Sequence, residues 1–376
     1  MTLISKMQAV EHDLNHEMIL LRRRMLGLTQ AHVADSLGVS QGFLSKLEQG
    51  LKEIDEPLLD KLCDVLRCRR SFFAYSERIY GAPLSTHPMF RKHASVGQKV
   101  LDKLLADVNA RIAHFRLMLS GLEMQPDFPL PQYDLDDLPK GAVQAAQYVR
   151  RAWQLPDGPI PNLTVLCERA GCLVFACDMS EAKIDGISYR IAGLPPLIFL
   201  NKDLPGDRWR FTLAHELGHL VMHAYPNPEM EDQANEFASE LLMPEKDIGR
   251  DLRNIDLARA GMLKPIWKVS MGALLVRAKR LQKITEGQST YLWRTMSMLG
   301  YRTAEPAELS IPRERTTLVP SVFEHYKGQL EYNEEEISEL LGLYPEDVPQ
   351  LYELSNWKHR LQLVDGRQAA KPLRLA

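Results

Sequence analysis

Within Arg210-Phe211-Thr212-Leu213-Ala214-His215-Glu216-Leu217-Gly218-His219-Leu220-Val221-Met222-His223 stands the pattern His-Glu-x-x-His. Residues four apart share a face of a helix, so His215 and His219 can both aim a ring nitrogen at one metal ion, and Glu216 stays close enough to act on a water held there. Zinc in such a site lowers the pKa of a bound water towards roughly 7 and polarises a scissile carbonyl, while the glutamate takes the water's proton and passes it to the leaving amine. This is the chemistry of peptide hydrolysis. Two histidines leave the metal short of a third protein ligand. The stretch Glu231 to Pro244 reads as a helix with Ala234, Phe237, Ala238, Leu241 and Leu242 as its buried stripe, and Glu231 lies three residues before Ala234 on that face. Glu231 is therefore the expected third ligand, ahead of Asp232 and Glu236, which project elsewhere. Asn235, one turn further on, is placed to orient Glu231 or a ligand histidine, and His223, four residues past His219, is expected in a supporting or core role. One zinc per chain is expected, although histidine with glutamate suits manganese or iron as well.

A second constellation runs from Leu28 to Gly50. Thr29 can cap a helix that buries Val33, Ala34 and Leu37, Gly38 supplies the positive φ of a tight turn, and Ser40 caps a second helix burying Leu44 and Leu47. With its Leu28-Thr29-Gln30 opening and Ser45-Lys46-Leu47-Glu48-Gln49-Gly50 close, this stretch resembles the helix-turn-helix of the XRE (Cro and lambda-repressor-like) family. The resemblance implies that Gln41, Gly42, Ser45 and Lys46 lie on the recognition helix where base edges are read, and that Gln30 and Ser40 stand where phosphates are gripped. Gln41 suits adenine and Lys46 guanine. Gly42 departs from the long polar residues often found there, which thins the expected contact with the groove. The first 80 residues hold eleven basic and eleven acidic side chains, so the electrostatic footprint is weak and a bundle used for protein contacts is the competing reading.

These sites need elements to hold them. The chain has 376 residues, 45% hydrophobic and 25% charged, which excludes a collagenous, disordered or membrane-embedded chain and allows two or three domains. Its 46 basic residues against 49 acidic ones make bulk attraction to nucleic acid irrelevant. No apolar run is long enough to span a membrane, and the five cysteines read as buried hydrophobes in a cytoplasmic protein. The expected fold is mainly α with a small mixed β-sheet, an α+β arrangement. A five-helix-type helix-turn-helix domain over 15–76 precedes a linker with a long helix over 77–139, a zincin-like peptidase domain over 140–285 and a helical or mixed C-terminal region over 286–376.

The linker helix is predicted over about 95–121, with Ser95 and Gln98 as a capping box. Along it Leu101, Leu105, Val108, Ile112, Phe115, Leu119 and Leu122 repeat every 3.5 residues, which suits either a stripe on the chain's own core or a dimer seam. Short strands are expected at Cys172 to Cys177 and Leu197 to Leu200, and the acidic run Glu331 to Glu339 reads as a solvated helix start. Val269 to Arg277 echoes the spacing of Val39 to Leu47 in basic surroundings, and is read as a helical buttress in preference to a second nucleic-acid or partner-binding pair.

Residues 140–285 resemble the ImmA/IrrE family of metallopeptidases, through Asp185-Gly186-Ile187-Ser188, Pro196-Leu197-Ile198-Phe199-Leu200-Asn201, the Arg210 to His219 stretch and the Glu231 to Pro244 segment. The resemblance implies a zinc endopeptidase that cuts an XRE-type repressor in a stress or mobile-element response. The strand ending at Asn201 is then expected to form the cleft edge to which a substrate adds as an extra strand. The whole chain reads as a DNA-binding transcriptional regulator, expected as a homodimer, with a double-stranded DNA operator and a regulatory protein substrate as partners. The alternative is a repressor or antitoxin whose peptidase-like domain only binds a partner such as a toxin.

Overall fold

The computed structural model describes residues 14–83 and 96–355. At the N-terminus the punctuation of the sequence and the element ends coincide. Helix α1 (His16–Met25) is capped by Asn15, α2 (Gln30–Leu37) by Thr29, α3 (Gln41–Glu48) by Ser40 and α4 (Glu56–Leu66) by Asp55, each side chain accepting a backbone N–H of the first turn. Gly38 ends α2 at φ 72, a left-handed conformation that costs a residue with a Cβ about 1–2 kcal/mol. A 3-10 turn, Arg70–Ala74, buries Phe72 and Phe73 and closes the module.

The long helix α5 (Gln98–Met118) starts after Gly97, which gives no side-chain cap. Gln98 is thus the first helical residue and its amide donates to Asp102 at 2.8 Å, so it does not close the expected capping box; Ser95 lies outside the described residues. From Val108 to Phe115 every residue of α5 is buried, on all sides. The Phe115 ring meets Phe175 at 4.9 Å, Tyr352 at 5.7 Å and Phe323 at 6.3 Å. The middle of the 3.5-residue repeat is therefore consumed by the chain's own core, and Val108, Ile112 and Phe115 are not available to a second copy.

After α6 (Gly141–Ala152) and α7 (Leu163–Arg169) comes a three-stranded sheet of β1 (Leu173–Cys177), β2 (Gly186–Tyr189) and β3 (Leu197–Asn201) in the order β1-β3-β2. β1 runs parallel to β3 with Leu173 opposite Leu197, and β2 antiparallel with Gly186 opposite Leu200. The expectation that β3 forms the cleft edge is corrected: β3 is buried throughout and paired on both sides, and the strand beside the His-Glu-x-x-His helix that pairs on one side only among the described residues is β2. β2 is a four-residue strand without the apolar run that marks β1 and β3, so its existence depends on the pairing partner.

The alternation of side chains along the strands feeds two cores. Leu173, Phe175, Leu197 and Phe199 face the helix-turn-helix module, α5 and the C-terminal helices, while Val174, Ile198 and Leu200 face the peptidase helices. On the latter side α8 (Gly206–Met222) and α9 (Met230–Leu242) pack on each other and on α6. Beyond them lie α10 (Leu257–Trp267), α11 (Met271–Arg280) and α12 (Glu286–Met298). Two of the basic residues here are buried structural cations, Lys264 between Asp207 and Glu305 and Arg277 on Glu240, as a buttress requires. All five cysteines are buried and free.

The C-terminal helices α13 (Leu318–Gly328), α14 (Glu334–Leu340) and α15 (Asp347–Tyr352) strap the helix-turn-helix module to the sheet. Arg69 donates to Leu343 O and to Glu339 at 3.0 Å and pairs with Glu335, and Tyr75 OH donates to Leu340 O at 3.2 Å. The acidic run thus holds Arg69 as well as facing solvent. Gly342, at φ 57, accepts a bond from Arg69 N, and a Cβ there would fall on the backbone of Phe72. Gly342→Ala is expected to cost about 2–5 kcal/mol, left-handed strain plus overpacking. Denaturant unfolding measures this, and a loss under about 0.5 kcal/mol would remove the contact as a clamp.

Candidate metal centre and DNA-reading face

Two helices bring the chemistry together. Gly218 on α8 lies against Phe237 of α9, and a Cβ at that position would stand 3.0 Å from the ring, so glycine permits the close approach of the pair. His215 and His219 project from α8 towards the first turn of α9, where Glu231 sits. Their Nε2 atoms are 3.0 Å apart, with Glu231 Oε1 3.4 Å from His219 Nε2 and Oε2 3.7 Å from His215 Nε2. Donors bound at 2.0–2.1 Å to a tetrahedral ion stand about 3.3 Å from one another. The three separations bracket that edge, and this is the group of three metal-binding side chains found among the described residues. Asp232 is exposed and, like Glu236, lies outside the group.

Both histidines are nearly buried, and burial pushes their pKa values down, to about 4 for His215 and about 3 for His219; the neighbouring imidazole adds to the shift in each case. Neutral rings at pH 7 make no ion pair with Glu231 but present lone pairs, as a cation requires. The bonds behind the rings select the tautomer. His215 Nδ1 lies 3.1 Å from Asn235 Oδ1, an acceptor, so its proton is on Nδ1 and Nε2 is left for a metal. His223 Nε2 donates to Gln233 Oε1 at 2.9 Å; its Nδ1 then accepts from His219 Nδ1 at 2.9 Å, which again leaves Nε2 of His219 facing the centre. Two neutral imidazoles and one carboxylate within ligating distance fit a divalent metal, with room for a fourth ligand.

Glu216 is fully buried next to His215, and Ser188 Oγ, on the edge strand, donates to its Oε2 at 2.7 Å. Gly186 at the start of that strand is required: a Cβ there would meet Thr212 Cγ2 at 2.7 Å and Glu216 Cγ at 3.0 Å. Ser188 closes the Asp185 to Ser188 motif and Gln233 lies in the Glu231 to Pro244 segment, but the roles of both behind Glu216 and His223 are not written in the spacing, because their partners lie 28 and 10 residues away on other elements. Two cavities flank the cluster, and the smaller one also touches Ser188 and Tyr189 of β2. One of 780 Å³ reaches Phe211 and Asn235, and one of 310 Å³ reaches His219 and His223. If Gln233 sets the His223–His219 pair, Gln233→Ala lowers metal affinity by about 10–100-fold. A competition titration against a zinc-chelating dye would show it, and unchanged affinity would strip Gln233 of that part.

On the opposite flank, α3 presents Gln41, Gly42 and Lys46 to solvent, with Ser45 half-buried and bonded by Gln49. Ser40 Oγ caps α3 at Phe43 N. Gln30 has its amide on Glu48 Oε2 at 2.8 Å and receives Gln41 Nε2 at 3.5 Å, while Arg23 grips the Glu48 carboxylate with two bonds. The buried Arg23–Glu48 pair thus fixes the angle between α1 and α3 and links the two glutamines into one polar face. Lys99 and Asp102 of α5 border this face.

A helix-turn-helix with an exposed polar recognition face, joined through one sheet to a helix pair that gathers two histidines and a glutamate, defines a DNA-binding protein with a peptidase-like domain. Residues 19–73 match the family model described as Helix-turn-helix, and residues 167–279 match the one described as IrrE N-terminal-like domain. The chain is a fusion of an XRE-type helix-turn-helix and an IrrE/ImmA-like peptidase domain. Comparison with curated proteins gives no match. Among the described residues no helix is long and apolar enough to cross a membrane.

Proposed function

We propose that this regulator is a zinc-dependent endopeptidase of the cytoplasm that cuts a regulatory protein, an XRE-type repressor, in a stress or mobile-element response, while its helix-turn-helix occupies an operator. The observation that carries the reading is the convergence of His215, His219 and Glu231 at ligating distances beside the buried Glu216 and the edge strand β2. A metal held by the two Nε2 atoms and the Glu231 carboxylate supplies Lewis acidity and a lowered water pKa. The chain's own side chains do the rest. Glu216 receives a proton on a carboxylate oxygen and returns it to the departing amine, and Ser188 holds the other oxygen so that the carboxylate keeps its aim. The edge of β2 that is unpaired among the described residues offers backbone bonds to an extended substrate segment, which selects unfolded loops over helices.

New protein N-termini in cells expressing the wild-type chain or Glu216→Gln test this reading by mass spectrometry. Termini found with the wild type and missing with the variant identify the substrate; identical sets leave the domain as a binding platform. On the DNA side, Lys46→Ala and Gln41→Ala are each expected to weaken operator binding by about 1–3 kcal/mol with altered base preference. Binding isotherms on operator and scrambled duplexes at one salt concentration measure it, and an equal loss on both duplexes would reassign these side chains to phosphate.

A further inference from the structure

The 310 Å³ cavity lies at the end of the cleft where α8 finishes. Its wall combines the end of the edge strand, Ser188, Tyr189 and Arg190, with His219 and His223 and with Pro83 from the segment that leaves the helix-turn-helix module. Tyr189 OH donates to Gly81 O at 3.0 Å and so pins that segment as a fixed rim. Arg190 is the one arginine or lysine in this lining, and it stands beside the aromatic and imidazole rings of Tyr189 and His219. Its guanidinium donates to Leu220 O at 3.1 Å, and it forms no carboxylate pair among the described residues. Nor can the stretch following Pro83 supply one, because residues 84–95 contain neither aspartate nor glutamate.

Three arginines on α8 and α11 give a contrast. Arg208 is held by Asp185, Arg210 by Glu314 and Arg277 by Glu240. Each of these carries its counter-ion within the chain, whereas Arg190, whose one side-chain bond among the described residues goes to Leu220 O, keeps further N–H donors for what enters beside His219. A guanidinium fork in a partly desolvated pocket recognises a carboxylate through two parallel bonds. We infer that Arg190 is a specificity-determining residue that takes the side-chain carboxylate of an aspartate or glutamate close to the bond placed at the metal centre, so that the substrate is an extended segment with an acidic residue beside its cut site. The inference rests on the proposed reading of the cleft as a peptide-binding cleft.

The test uses full-length Glu216→Gln protein with zinc added and fluorescent, end-blocked octapeptide pools in which one position is fixed as Glu, Gln or Lys. At one position the Glu pool should bind about two- to fivefold more tightly than the Gln pool, with Lys weakest, as an exposed charge pair allows. In Glu216→Gln carrying Arg190→Glu the order should invert in favour of Lys, a gain that misfolding cannot produce. Equal binding of the three pools, no binding at all, or the same order in both proteins overturns the inference. Cleavage of the same pools by the wild type separates the two claims. Binding preference without any cleavage defeats the peptidase reading and leaves Arg190 as a carboxylate holder; cleavage indifferent to charge keeps the peptidase and removes Arg190.

Discussion

Glu231→Ala protein is expected to leave mild dialysis with less than about a tenth of the metal of the wild type, which should retain about one zinc per chain, by elemental analysis. Shared evenly over four ligands, the 10–16 kcal/mol of a zinc site assigns about 3 kcal/mol to each donor, more than a hundredfold in affinity. Glu231 counts for at least that share because it is the anionic donor of the set, opposite two neutral imidazoles. Its removal spares the fold. The side chain is partly exposed and sits in the first turn of α9, where losing a carboxylate from a helix N-terminus costs only about 0.3–1 kcal/mol. Equal metal in variant and wild type, with circular dichroism unchanged, would place the third ligand elsewhere; metal in neither, after resupply, would leave the DNA-binding half as the working part.

Glu216→Gln should separate metal from catalysis. Glutamine has the same shape and keeps an oxygen for Ser188 Oγ, so the buried site stays packed and the ligands stay in place. It cannot take a proton from water at neutral pH, and the loss of general base and acid lowers turnover by about 10²–10⁴-fold. Rates on peptide pools, beside metal content measured on the same samples, distinguish this from collapse of the centre. Residual activity above about a tenth of the wild type would take Glu216 out of the proton path. A variant with full metal and no cleavage is also the form in which a substrate complex can be trapped.

The shared core has a consequence for how the two halves act. Phe72 and Tyr75 of the helix-turn-helix module, His114 of α5 and Tyr352 of α15 meet ring to ring, and His114 Nδ1 lies 2.6 Å from Tyr352 OH. The DNA-reading module is therefore packed onto one face of the sheet whose edge strand borders the metal centre.

Much of the centre is legible in the sequence because it is local geometry. Histidines four apart on a helix share a face whatever surrounds the helix, and the apolar stripe of α9 orients Glu231 without reference to any partner. The caps of α2 and α3 are equally local, since each side chain bonds a backbone group three residues on. Ser188 behind Glu216, Gln233 behind His223, and the role of β2 as the cleft edge depend on the crossing of α8 over α9 and on strand order, which no spacing encodes. The repeat along α5 shows the limit most plainly. An apolar stripe states that it will be covered and is silent about whether a second copy or its own sheet covers it, because hydrophobic burial has no direction; only the packing of Phe115 among Phe175, Phe323 and Tyr352 decides.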